Sequence, residues 1–218
     1  MRLHTTFHTA RLGATEFKVV RPARTPARAV LVDTSWFLNG RFDQEAAQIA
    51  AGLWALAATS PRTLVHLPIR ANAKHGPEGE PLGRGRPLDL VLLHHSLQFA
   101  PSRWKELRGR LGPGRPRTVD LPGPDPDADP GVPDLHHREN HDRFHQDIHG
   151  ETLFMTGSTT MFRMGAGLFA DLARRGPGQL FHHPGTHYCR SLYCHPHDRD
   201  LHLEYCEEWP AGHSDGRS

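Results

Sequence analysis

No apolar run in this chain of 218 residues approaches the roughly 20 residues needed to cross a bilayer, so a membrane-spanning helix is excluded. The N-terminal stretch MRLHTTFHTARLG lacks the apolar core of a signal peptide. Together these absences give the expectation of a cytoplasmic protein with no membrane partner. Cysteine is scarce: Cys189, Cys194 and Cys206 are an odd number crowded near the C-terminus, which argues against a disulfide framework and suits reduced thiols. An excess of one charge is also missing. Lys plus Arg number 26 against 24 Asp plus Glu, and a net charge of +2 gives no footprint for nucleic acid or an anionic membrane. Lysine occurs only as Lys18, Lys74 and Lys105. Arginine, proline and histidine are abundant instead, as a GC-rich coding sequence would write, so each one is weaker evidence of function than usual.

What is present reads as alternating strands and helices in a single α/β domain spanning residues 1–218. Glu16 to Val20 and Ala29 to Val32 are expected strands, the second ending in Asp33-Thr34-Ser35. From Asp43 to Leu56 apolar residues recur at helical spacing. Thr63 to Leu67 is a further strand, and Leu88 to Leu93 is the strongest buried-strand signal, ending on His94, His95 and Ser96. Ser102 is placed to cap a helix through Trp104, Leu107 and Leu111. Residues 112–134 are dominated by Pro, Gly and Asp and are expected to form an exposed, flexible insertion. Beyond it come a strand at Glu151 to Met155, a turn at Thr156-Gly157-Ser158, and a helix through Phe162, Leu168, Phe169 and Leu172 that is expected to stop at Gly176-Pro177. Leu180 to His182 and Asp200 to Tyr205 read as short strands, and 207–218 as a disordered tail. The alternation implies a three-layer α/β sandwich with a mixed, mostly parallel sheet covered on both faces.

The segment Pro184-Gly185-Thr186-His187-Tyr188-Cys189 places one cysteine behind a Pro-Gly turn, and the run after it reads as helical. A thiol at a helix start meets unpaired backbone N–H groups and the positive helix end, both of which favour the nucleophilic thiolate. The order of pieces along the chain then resembles pyroglutamyl peptidase I, a cysteine peptidase family that removes N-terminal pyroglutamate. The matching pieces are Val30-Leu31-Val32, His66-Leu67-Pro68, Leu88-Asp89-Leu90-Val91, Thr156-Gly157-Ser158-Thr159, Gly185-Thr186-His187-Tyr188-Cys189 and Leu201-His202-Leu203, collinear over about residues 28–206. The family's Gly-Phe-x-Pro-Phe-Gly loop is replaced by residues 33–40, which keep Phe37 and a closing Gly40. The glutamate after the fourth strand is displaced to Glu106, inside a helical pattern. The resemblance implies a thiol-dependent amide hydrolase that needs no cofactor and acts on a small peptide or amide. In it Cys189 attacks the carbonyl, His202 accepts and returns the proton, and Glu106 holds the imidazole. Phe37 then lines the substrate pocket. His94 and His95 compete for the orienting or substrate-binding role, at the carboxyl end of a buried strand where α/β proteins take ligands.

Bland readings stand beside these. Cys189 reads equally as a small buried hydrophobe, His202 as a solvated strand residue and Glu106 as a solvent-face charge. A second constellation is the ridge His137, His141, His145 and His149, spaced by four, which on a helix shares one face and can clamp Zn or Fe. Cys194, His195 and His197 could join it. A solvated face is the simpler account, since Cys189 and Cys194 lack zinc-knuckle spacing. Thr156-Gly157-Ser158-Thr159 offers anion-binding groups but lacks the phosphate-loop lysine, and reads as a helix cap. A metalloenzyme and a non-catalytic binding protein remain the rival classes, with homo-oligomerisation open.

Overall fold

Side-chain alternation, more than long apolar runs, builds the strands of this chain. In the computed structural model, which describes residues 1–34, 36–76, 85–123, 142–183, 185–192, 194 and 198–210, strands β1 (Arg2–Leu12) and β2 (Thr15–Pro22) form a hairpin. Its two-residue turn uses Gly13 at a φ of 63°, a conformation that suits glycine. β3 (Ala29–Asp33) and β4 (Leu38–Phe42) form a second hairpin, followed by helix α1 (Gln44–Thr59), whose first turn is capped by Asp43 accepting from the Ala46 N–H at 2.8 Å. Then come β5 (Thr63–Leu67), β6 (Arg86–Pro87), β7 (Asp89–His94), helix α2 (Trp104–Gly109), β8 (Arg115–Asp120), β9 (His145–His149) and β10 (Thr152–Gly157). Helix α3 (Thr159–His182), capped by Ser158, leads to β11 (Cys189–Leu192) and β12 (Leu201–Tyr205).

The strands make two mixed sheets, a larger one in the order β8-β1-β2-β5-β7-β10-β9 and a smaller one in the order β11-β12-β4-β3-β6. Helices α1 and α3 lie between them. Leu3, Val65, Leu90, Leu92, Leu153 and Met155 of the larger sheet share one core with Leu31, Leu38, Phe42, Leu192, Leu201 and Leu203 of the smaller. This explains the composition of α1, whose alanines keep it thin enough to be buried on nearly every side, as a helix between two sheets must be. Trp54 fills the middle of the core, its ring centroid 5.3 Å from Phe144, 5.6 Å from Phe162 and 5.5 Å from Phe169. On the outer face of the larger sheet, Trp104 and Leu107 of α2 and Phe99 pack on Leu64, Val91 and Phe154. The larger sheet is thus covered on both faces, and the chain is an α/β sandwich.

Several expectations are corrected. Parallel pairing is the minority: β2–β5, β7–β10 and β4–β12 are parallel, whereas the other ladders among the described residues are antiparallel because hairpins join so many neighbours. Residues 115–120 of the expected flexible insertion form the edge strand β8, and the rest of that insertion from residue 124 lies outside the described residues. Helix α3 does not stop at Gly176-Pro177 but continues through the stretch 180–182 that reads as a strand. Pro177 cannot donate to the Ala173 carbonyl one turn back, and the Gln44 amide donates to that carbonyl instead, at 3.2 Å. The tail reading falls partly outside the described residues, which end at Pro210; within them the Trp209 indole donates to the Cys206 carbonyl at 2.8 Å.

Candidate functional site

On the outer face of the smaller sheet the 3-10 helix Arg70–His75 packs on β3, whose Val30 and Val32 are buried, and polar side chains gather beside it over β4, β12 and β11. In the antiparallel β11–β12 ladder Cys189 lies opposite Glu204 and Ser191 opposite His202. In the parallel β12–β4 ladder His202 lies beside Asn39 and Glu204 beside Arg41. Paired residues share a face, so Cys189, Ser191, His202, Glu204, Asn39 and Arg41 all project outward, while Leu38, Phe42, Leu192, Leu201, Leu203 and Tyr205 point into the core.

Arg41 Nε donates to Glu204 Oε2 at 2.9 Å, a pair mostly shielded from water. The Phe37 ring meets His202 edge-on at 6.2 Å, and its neighbour Trp36 is 86% exposed. Asp33 accepts from Arg199 at 2.6 Å and Arg86 at 3.1 Å at the far end of β3. Burial lowers the His202 pKa, with Glu204 opposing and His187 and Arg41 reinforcing the shift, so the imidazole is neutral near pH 7 and able to take a proton. Asn39 is 3% exposed and its Oδ1 is buried without a hydrogen-bond partner. An unpaired buried carbonyl of this kind costs about 1–3 kcal/mol.

The structure brings Cys189, His202 and Phe37 to this one face. Cys189 is not at a helix start: it opens strand β11, so the helix-end field expected around its sulfur is missing. Gly185, at a φ of 83°, precedes a strand because residues 189–192 pair with β12. Cys189 and His202 are diagonal neighbours, about 7 Å apart along the ladder, and no hydrogen bond joins them among the described residues. Glu106 lies elsewhere. It sits on α2 over the outer face of the other sheet, paired with Arg103 at 3.1 Å and Arg110 at 2.8 Å, and is not placed to hold His202.

His94 ends β7, in the larger sheet, and His95 opens the short 3-10 helix that follows. Ser96 N–H donates to His94 Nδ1 at 3.2 Å, and Thr159 Oγ1 stands 3.4 Å from Nε2, so His94 ties the strand end to the start of α3. His95 packs on it at 4.4 Å. The histidine ridge is not helical where it is described: His145 and His149 are the two ends of the edge strand β9, four positions and about 13 Å apart, too far for one ion. Ile148 packs against the core and the strand pairs with β10, which selects a period of two there. His137, His141, His195 and His197 lie outside the described residues. Cys194 is buried and accepts from Gln146 Nε2 at 2.9 Å; burial pushes its thiol up to about 12, so it stays protonated. Among the described residues no group of three His, Cys, Asp or Glu side chains is placed to hold a metal ion.

Asn39, Arg41, Ser191 and Glu204 escaped the reading of the sequence. The signal available was the alternation in Leu38-Asn39-Gly40-Arg41-Phe42 and Leu201-His202-Leu203-Glu204-Tyr205, which marks the odd residues out as a shared polar face only once the two strands are paired. Comparison of the chain with protein-family models, with curated proteins and with solved structures finds no match.

Proposed function

We propose that the outer face of the smaller sheet is a thiol-dependent amide hydrolase site, with Cys189 as nucleophile, His202 as proton acceptor and Asn39 as the group that orients the imidazole. The observation that carries this reading is the register: three adjacent strands set Asn39 beside His202 and Cys189 diagonal to it on one face, and the buried Asn39 Oδ1 has no hydrogen-bond partner. An amide oxygen accepting one imidazole N–H leaves the other ring nitrogen free to accept a proton, the arrangement used by cysteine peptidases of the Cys-His-Asn type.

In the reaction His202 takes the Cys189 proton as sulfur bonds to the carbonyl carbon. The C–N bond then breaks and the imidazolium returns the proton to the departing amine. Water, deprotonated by the same imidazole, hydrolyses the thioester and releases the acid and the thiol. Phe37 and Trp36 offer an apolar wall for a compact acyl group. A pyroglutamyl group fits that description, and its choice rests on the resemblance to pyroglutamyl peptidase I. Ser191 provides a second reading, because it lies directly across from His202 where Cys189 lies diagonally.

Two assays test the proposal. Limiting iodoacetamide followed by mass spectrometry is expected to label Cys189 ahead of Cys206 and Cys194. Pyroglutamyl, prolyl or alanyl arylamide turnover is expected to vanish in Cys189→Ala and His202→Ala. Turnover that survives Cys189→Ala but not Ser191→Ala assigns the nucleophile to serine. No preference for Cys189 together with no turnover removes the hydrolase reading.

A further inference from the structure

Away from the thiol site, the larger sheet extends beyond its helix cover. On the inner face of β1, Leu3 and Thr5 are buried, with Met1 and Leu3 against Gly52 of α1, but Phe7 is only half-buried and Thr9 is exposed. The register places Arg117 opposite Thr5, Arg115 opposite Phe7 and Lys18 opposite Thr9, all on that same uncovered face. These residues line a recess of about 500 Å³, closed at one side by the Gly112-Pro113 turn before β8. Such a volume suits a small organic ligand.

Its electrostatics are lopsided. Lys18, Arg115 and Arg117 are exposed, and no acidic side chain among the described residues pairs with any of them. The one carboxylate in the recess, Glu16, is engaged by Arg11 at 3.7 Å. The Arg117 guanidinium is held over the Phe7 ring at 5.1 Å, which fixes a donor fork above the apolar floor. Three like charges converging without a counter-charge repel one another, and an anion between them relieves that repulsion.

Spacing narrows the ligand. β2 and β8 flank β1, and Lys18 faces Thr9 where Arg115 faces Phe7, so the two residues start about 12 Å apart across the sheet. Long exposed side chains starting that far apart can meet on one phosphate, but a chain of two or three phosphates occupies all three cations at once, with the arginines as bidentate donors. The near-neutral net charge and confined recess argue for a small molecule over a nucleic acid backbone.

We propose that the recess lined by Phe7, Thr9, Lys18, Arg115 and Arg117 binds a small oligophosphate, either a free phosphate chain or the phosphates of a nucleotide. Its geometry lies on the other sheet from Cys189 and His202 and is independent of the hydrolase reading.

The test is isothermal titration of the full chain at low salt with pyrophosphate, tripolyphosphate, ADP and, as controls, orthophosphate and a single-stranded oligonucleotide. Saturable binding of tripolyphosphate or ADP is expected, weakened at least about tenfold by Arg115→Glu and by Lys18→Met and left intact by Lys105→Glu on α2, with melting temperatures showing that each variant folds. ADP binding tighter than pyrophosphate assigns the ligand as a nucleotide; equal affinities assign it as the phosphate chain. Absence of binding, equal weakening by Lys105→Glu, or an oligonucleotide that outcompetes ADP overturns the proposal.

Discussion

Replacing Gly165 by alanine sets two effects of known sign against each other. Gly165 lies inside α3, where alanine is favoured over glycine by about 1 kcal/mol. A Cβ built there would stand 2.4 Å from Trp54 Cε3 and 2.7 Å from Cζ3, closer than atoms can approach. The indole cannot swing aside, because Phe144, Phe162 and Phe169 hold its ring on three sides. Overpacking of such a core costs about 1–3 kcal/mol, so the substitution is expected to be neutral at best and to destabilise by up to about 2 kcal/mol once the propensity gain is subtracted. Gly178 supplies the reference: it lies in the same helix with nothing within 4 Å of its would-be Cβ, so Gly178→Ala should show the propensity gain alone. The propensity difference cancels between the two variants, leaving the clash. At roughly 2–4 °C per kcal/mol for a chain of this size, Gly165→Ala should melt roughly 2–12 °C below Gly178→Ala. Urea denaturation and thermal melts at one pH measure both. Equal stability of the two variants would refute the packing of Trp54 against α3.

His66 is fully buried and its pKa is lowered by burial first, with Arg21 and Arg108 adding to the shift and Asp89 opposing it. Arg21 Nε donates to Nδ1 at 2.9 Å, so the proton of the neutral ring is on Nε2. Because the unfolded chain binds that proton more readily, the stability it governs is complete above about pH 6.5 and declines as pH falls below it. His66→Gln should flatten the slope of unfolding free energy as pH falls below about 6.5; an unchanged slope shows that His66 titrates as it does in the unfolded chain. Asn39→Leu removes an unpaired buried amide, so stability should hold or rise, by up to about 1–3 kcal/mol, while Cys189 alkylation loses the inflection that His202 confers on its pH profile. An inflection that persists in this variant means that Asn39 does not orient His202.

The parts of the fold legible in the sequence are those buried on both sides. β3, β5, β7 and β10 are continuous apolar runs, and α1 shows its period, because each lies wholly within the core. The sheet edges are less legible. β8 (RPRTVD) and β9 (HQDIH) expose most of their side chains, so burial leaves little trace in their composition. β1 is obscured by Thr5, a buried polar residue whose hydroxyl donates to the Arg117 carbonyl at 3.0 Å. The candidate site divides in the same way. Cys189 and His202 stand out by residue type, but Asn39 gains significance only from the pairing of β4 with β12, and Arg41 meets Glu204 across 163 positions of chain. No local period encodes a register between segments so distant.

Two polar ties fasten α1 and α3 at opposite ends. Thr159 Oγ1 donates to the Ala58 carbonyl at 3.1 Å, and Gln44 donates to the Ala173 carbonyl that Pro177 leaves free. Between those ties Trp54 of α1 sits over Gly165, against Phe162 and Phe169 of α3, while the start of α1 is alanine-rich, with shallow ridges that resist sliding poorly. The proline therefore acts as a keyway. By exposing one carbonyl at one height along α3, it gives the start of α1 a single seat. β4 runs directly into that start through Asp43, while α3 packs against β11 and β12, so the seat joins the two ends of the chain whose strands pair Asn39 with His202. A residue in the adjoining helix layer thus backs the strands of the polar face.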